Sequence, residues 1–149
     1  MDLWVAGEWL TCDDNMAFAP QFRHAVLDTI AQLRSPAGFP PPFAGLSPIA
    51  AHRRLMLDAG HDQETEADYE LRSRHRVLDW GPTTDNATTH LFRDGDRLMI
   101  TLQFRRAEHL LRHPEHADKV FLAEIAAPEF VSILEDLVAA LDRSHQDHP

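Results

Sequence analysis

Apolar residues recur at helical spacing in two long segments of the chain. In the segment 20–34, Phe22, Val26 and Ile30 share one face of a helix, and Pro20 suits its first position. The segment that begins at Pro128 repeats the spacing with Phe130, Ile133, Leu134, Leu137, Val138 and Leu141. We therefore predict an amphipathic helix in each place, and we expect the second helix to bury its apolar side chains against a sheet.

Capping residues predict a further helix between these two. Ser47 is a favourable N-cap residue followed by proline, and Gly60 is typical of the position just after a helix end. These residues predict a helix over 48–59. The preceding segment, 35–48, is rich in proline and predicts an extended loop.

Residues of high β-propensity and alternating polarity predict the strands. Short strands are indicated at 3–10 and 119–126, and alternation over 69–80 predicts a longer one. Asp94-Gly95 lies between two β-rich runs and predicts a hairpin. A two-residue turn there pairs Leu91 with Leu98, whereas a bulged turn shifts the pairing.

These elements follow the order β-α-α-β-β-β-β-α, which lacks the strict alternation of a parallel sheet. We predict an α+β fold: a mostly antiparallel sheet of about five strands with two or three helices packed on one face. One domain is expected over residues 1–142, with a polar and disordered tail over 143–149.

Composition and charge narrow the classes of partner. The 149 residues are 44% hydrophobic and carry a formal net charge of −10, which opposes binding to nucleic acid or to an anionic membrane surface. A basic protein would be attracted instead. Cys12 is the lone cysteine, and the first ten residues do not resemble a signal peptide, so we expect a cytoplasmic protein. Arginine far outnumbers lysine, which is typical of a GC-rich bacterial genome.

Acidic residues without basic neighbours dominate the segment 58–70. The candidate partner-binding residues are Asp62, Glu64, Glu66, Asp68 and Glu70. This run favours a non-catalytic protein-binding module that engages a basic partner. Small bacterial immunity proteins and antitoxin-like inhibitors act in this way, an analogy of size, charge and class that no motif supports.

Histidines supply the alternative, a small metal-dependent or ligand-binding enzyme. His109, His113 and His116 would share one face of a continuous helix and offer imidazole ligands to a metal such as zinc. Pro114 interrupts that helix and counts against the site. We therefore predict no cofactor.

Three further groups leave alternatives open. Arg72, Arg74 and Arg76 share one face of the predicted strand and either bind an anion or pair with carboxylates of the chain. Asp85 and His90 either form an acid–base pair or belong to an ordinary turn and strand. Apolar faces of the sheet either lie in the core or continue across a homodimer.

Overall fold

A computed structural model describes residues 2–11, 19–35, 37–57 and 66–146 of the chain. These residues form five α-helices and two antiparallel sheets, which confirms the predicted α+β class. The elements are β1 (Trp4–Val5), β2 (Glu8–Trp9), α1 (Ala19–Arg34), α2 (Pro48–Leu57), α3 (Glu66–His75), β3 (Ala87–Asp94), β4 (Arg97–Phe104), α4 (Ala107–Arg112), β5 (Phe121–Ala126) and α5 (Ala127–Gln146), with 3₁₀ turns at Pro82–Thr84 and Pro114–His116.

The prediction of one sheet of about five strands is wrong. In the described chain, β3, β4 and β5 form one antiparallel sheet in that order, and β1 and β2 pair separately. Residues 3–10 form a hairpin rather than one strand, because Ala6 and Gly7 have φ angles of 54° and 79° and reverse the chain. The observed order is therefore β-β-α-α-α-β-β-α-β-α.

The β3–β4 hairpin forms where the sequence predicts it, with a different register. Asp94 pairs with Arg97, so the turn is Gly95-Asp96, and Leu91 lies opposite Ile100 instead of Leu98. Gly95 has a φ of 61°, as the first central residue of a type II′ turn requires. Because the register differs by two residues, every side chain keeps its predicted face.

Helices cover both faces of the β3–β4–β5 sheet, so the prediction that they pack on one face is also wrong. Leu91, Ile100 and Leu102 project toward α1 and α5 in the larger hydrophobic cluster. On the opposite face, Phe92 and Met99 pack against Ala51 and Leu55 of α2 in the smaller cluster. The sheet is thus the middle layer of three.

The helix α3 occupies most of the segment predicted as a strand over 69–80. Its sequence places acidic residues in the first turn and basic residues in the last, which complements the helix dipole. The chain becomes extended only at Arg76, which forms an isolated antiparallel bridge with His90, and the Val77 N–H donates to the carbonyl oxygen of Thr89 at 3.3 Å. This short stretch covers the outer edge of β3.

The helices α1, α2 and α5 form where the sequence predicts them, whereas α4 was not predicted. On α1, Phe22 and Val26 are buried, and at the start of α2 the Ala50 N–H donates to Ser47 Oγ at 3.2 Å, as an N-cap requires. On α5, Leu134 is buried, but Ile133 is 50% exposed, which corrects the expectation that the apolar residues of this helix are all buried.

The α5 helix continues to Gln146, so it includes residues 143–146, which we expected to belong to the tail. Among the described helices, none combines the length and apolar character needed to cross a membrane.

Candidate functional site

A cleft of about 700 Å³ opens between α1, α3 and the outer edge of β3. It forms because the extended segment after α3 runs along β3 and leaves a depression beside α1. His90 of β3 is 2% exposed and belongs to the wall of this cleft. The volume lies within the range of about 300–1,000 Å³ that is usual for small-molecule sites.

Arginine side chains give the cleft a cationic wall. Arg72 lies in the last turn of α3, Arg76 follows that helix directly, and Arg105 follows β4. Among the described lining residues, the arginines outnumber the carboxylates, which are Asp28 and Asp79. Asp79 pairs with Arg76 at 3.1 Å. The cleft therefore differs in sign from the strongly acidic chain around it.

Trp80 anchors the apolar part of the wall. Its indole N–H donates to Thr29 Oγ1 at 3.0 Å, and its ring meets Phe22 edge-on at 5.3 Å between centroids. Leu78, which also lines the cleft, has a φ of 57°, an unfavourable value for a branched side chain. Backbone strain of this kind concentrates at functional sites because the surrounding structure must enforce it.

A buried hydrogen-bond network lies behind His90. His90 Nδ1 is 3.0 Å from His52 Nδ1, and His52 Nδ1 is 2.8 Å from Thr101 Oγ1. The Thr101 hydroxyl donates to the carbonyl oxygen of His90 at 3.3 Å. His52 belongs to α2 and Thr101 to β4, so the network connects the helix and the sheet behind the cleft.

Burial keeps both imidazoles of this network neutral. Burial and, to a smaller extent, the positive charge of His52, His75, Arg76 and Arg72 together lower the pKa of His90 to about 3. Burial likewise lowers the pKa of His52 to about 4, against a smaller opposing effect of the Gln103 side chain. His90 therefore meets the cleft as a neutral hydrogen-bonding group at pH 7.

The acidic run lies partly outside the described residues. Asp62 and Glu64 fall within the segment 58–65, which the structure does not describe. Glu66 and Glu70 are exposed on α3, and Asp68 is half-buried there. Their helix also carries Arg72 of the cleft and the exposed Arg74, so the described part of the run is not a purely acidic surface. A basic protein partner at this run stays a prediction.

The structure brings His109, His113 and His116 together as a stack of rings. His109 Nε2 lies 2.9 Å from His116 Nδ1, and the His109 ring stacks on Phe104 at 4.0 Å between centroids. Pro114 begins a 3₁₀ turn, so the three histidines do not share one helix. Across the described ranges, no group of three or more His, Cys, Asp or Glu side chains is arranged to hold a metal ion. The metal hypothesis gains no support here.

The other candidates separate in space. Arg74 is exposed on α3 and does not line the cleft, unlike Arg72 and Arg76. Asp85 lies after the first 3₁₀ turn, where its carbonyl oxygen accepts a hydrogen bond from Arg105 Nε at 3.2 Å; its side chain does not line the cleft with His90. Cys12 lies outside the described residues.

No pattern in the sequence connects His52 with His90. The two residues are 38 positions apart and meet only when α2 packs on the sheet. Arg105 was not a candidate, since it stands next to Arg106 in a polar connector with no periodic pattern. One feature of the sequence does indicate that α3 is a helix. An acidic residue precedes a basic one by four positions twice, from Asp68 to Arg72 and from Glu70 to Arg74.

Comparisons with known proteins do not identify a family for this chain. No protein-family model matches the sequence, and neither the curated proteins nor the solved structures give a match. The chemistry of the cleft is therefore the basis for a functional proposal.

Proposed function

We propose that this chain is a binding domain for a small organic anion held in the cleft. The observation that carries the proposal is the convergence of Arg72, Arg76 and Arg105 on one concave site, in a chain whose net charge is −10. Guanidinium groups recognise carboxylates and phosphates through paired N–H donors. Local positive charge attracts such a group even where the chain as a whole is acidic.

The cleft also offers apolar surface, which favours an anion with an organic body over a bare inorganic ion. Met56, Leu78 and Trp80 contribute to its lining, and Tyr69 stands at the same site with 64% of its surface exposed. An aromatic or aliphatic body would bury apolar area chiefly on Tyr69 and Met56, because Leu78 and Trp80 are each only 5% exposed. A free phosphate would leave most of the 700 Å³ to solvent.

Binding is better supported than acid–base catalysis. His90 is the imidazole that lines the cleft, and its pKa near 3 makes it a weak proton acceptor at neutral pH. Asp85, the partner considered for it in the sequence, does not line the site with it. The described residues of the cleft thus hold and orient an anion without an evident proton-transfer pair.

A titration with 2-naphthoate, benzoate and inorganic phosphate tests the proposal. Heteronuclear NMR of the labelled protein identifies the binding surface, and calorimetry gives the affinity. We expect 2-naphthoate to bind most tightly and to shift resonances of α3 and β3. In Arg72→Gln the Kd should rise about ten- to a hundredfold, because a charge-assisted hydrogen bond contributes about 1.5–3 kcal/mol.

Arg74→Gln is the matched control. It removes the same charge from the same helix, but Arg74 lies outside the cleft, so the Kd should change less than about twofold from screened electrostatics. If Arg72→Gln does not fold, Arg105→Gln tests the same wall from an exposed position. Equal affinities in the cleft and control variants, or no shift in cleft resonances with any of the three probes at millimolar concentration, would overturn the proposal.

A further inference from the structure

We infer that His90 presents its Nε2–H to the cleft and donates a hydrogen bond to the bound anion, and that His52 and Thr101 set this tautomer. The inference rests on the proposed function, since it assigns a specific contact within the same site. His90 would be a ligand-binding residue, and His52, which lies behind it, a positioning residue. The class of ligand group is accordingly an oxyanion with a lone pair directed at His90, such as a carboxylate oxygen.

Three contacts decide where the protons lie. The Thr101 hydroxyl has one proton and donates it to the carbonyl oxygen of His90 at 3.3 Å. The 2.8 Å contact between Thr101 Oγ1 and His52 Nδ1 then requires His52 to donate from Nδ1. The same Nδ1–H also faces His90 Nδ1 at 3.0 Å and is shared between the two acceptors, so His90 accepts at Nδ1. A neutral imidazole that accepts at Nδ1 carries its proton on Nε2.

The opposite arrangement satisfies fewer of these contacts. If His90 donated from Nδ1, His52 Nδ1 would have to be unprotonated, with one lone pair facing both His90 and the Thr101 oxygen. Thr101 would then have to turn its proton toward His52, and the contact with the carbonyl oxygen of His90 would lose its donor. In the first arrangement the His52 proton is shared between two acceptors, but the carbonyl oxygen of His90 keeps its donor, and this arrangement is therefore favoured.

A neutral donor suits this cleft because charge is already supplied by its arginines. The groups that face His90 are His52 from α2, together with Arg72, His75 and Arg76 from α3 and the segment after it. They oppose a positive charge on His90, so anion binding through this residue does not require protonation. We expect the Kd for 2-naphthoate to change less than about threefold between pH 8 and pH 6. An imidazolium donor would instead tighten binding steadily as the pH falls.

Nitrogen NMR of histidine-labelled protein tests the tautomer directly. Long-range proton–nitrogen spectra distinguish a protonated nitrogen from an unprotonated one, and the spectrum of His90→Asn assigns the signals. We expect a protonated Nε2 and an unprotonated Nδ1 at His90, and the reverse at His52. The measurement needs no ligand, so it is independent of whether an anion binds.

Two substitutions at His52 separate positioning from packing. In His52→Asn the amide nitrogen occupies nearly the place of Nδ1 and keeps a donor facing His90, so binding of 2-naphthoate should stay within about threefold of the wild type. In His52→Leu the side chain still fills the space but has no donor, and we expect the Kd to rise about tenfold. A role in packing alone would not favour asparagine over leucine at this buried position.

The outcomes separate this inference from the proposed function. A protonated Nδ1 at His90, together with loss of binding in Arg72→Gln, would overturn the inference and leave the anion site intact. Equal binding in His52→Asn and His52→Leu would also overturn it. Failure of the wild type to bind any of the anionic probes would overturn both proposals.

Discussion

The buried pair His52 and His90 should make the stability of this protein fall steeply in mild acid. Both side chains are nearly inaccessible, with 0% and 2% of their surface exposed. Burial lowers the pKa of His52 to about 4 and that of His90 to about 3, whereas both titrate near 6.5 in an unfolded chain. Below pH 6.5 the unfolded chain therefore binds protons that the folded protein excludes.

The sign and the size of the effect follow from this difference. The stability contributed by the neutral imidazoles is complete above pH 6.5 and is lost as the pH falls toward the folded pKa values. At pH 5 the unfolded pKa lies about 1.5 units above the solution pH, and each unit corresponds to about 1.4 kcal/mol. Each histidine thus lowers the free energy of unfolding by about 2 kcal/mol, and His52 and His90 together by about 4 kcal/mol.

Urea unfolding at pH 7.5 and at pH 5.0 measures how far the free energy of unfolding falls between the two pH values. The variant His90→Asn isolates the part of this loss that comes from His90. The variant is less stable at both pH values, but its loss between them should be about 2 kcal/mol smaller than that of the wild type. Comparing the two losses cancels the titration of the other histidines. His24→Asn is the control, because His24 is an exposed residue of α1 with 79% of its side chain accessible.

A wild-type loss equal to that of His90→Asn, within about 0.5 kcal/mol, would refute the reasoning, because it would show that His90 titrates alike in the folded and unfolded states. If the loss in His24→Asn were as small as the loss in His90→Asn, the difference from the wild type would reflect a general effect of charge and not the burial of His90. If His90→Asn does not fold, His52→Asn gives the same comparison for the other member of the pair.

The packing of the fold gives two further expectations. A Cβ at Gly38 would lie 1.8 Å from the backbone oxygen of Gln32, so Gly38→Ala should lower the free energy of urea unfolding by at least about 2 kcal/mol. As the control, Gly45→Ala meets no atom within 4 Å and should lower it by about 1 kcal/mol because of its positive φ. Equal losses in the two variants would contradict the close approach at Gly38. Leu134→Ala should lower the free energy of unfolding by about 2–5 kcal/mol, because the Leu134 side chain is 2% exposed. Ile133→Ala should lower it by less than about 1 kcal/mol, because Ile133 is half exposed. A lower thermal midpoint for Ile133→Ala than for Leu134→Ala would contradict the docking of α5.

Local patterns were sufficient where one element buries one face. The spacing of Phe22 and Val26 predicts α1, the spacing of Phe130 and Leu134 predicts α5, and the cap at Ser47 predicts the start of α2. Each of these rests on neighbours within a few turns of the chain. The hairpin was also found, although its turn is one residue further along than Asp94-Gly95.

The hydrophobic pattern did not predict the helix α3, because apolar residues are sparse in this segment. Tyr69, Leu71 and Val77 fall at alternating positions by coincidence, while the basic residues of the last helical turn were counted as a strand face. The prediction that helices cover one face of the sheet was wrong for another reason. β3 and β4 are buried on both faces, so alternation within a strand does not reveal that α2 covers the second face.

The α+β class, the two long amphipathic helices and the hairpin are predictable from the amino-acid sequence, because periodicity and turn chemistry act between residues close in the chain. Tertiary structure alone decided that His52 lies against His90 and that Arg72, Arg76 and Arg105 share a cleft. These residues come from separate elements, and no local spacing encodes how a helix, a strand edge and a connector pack together. The fold class is therefore a property of short segments, whereas the candidate site exists only where distant segments meet.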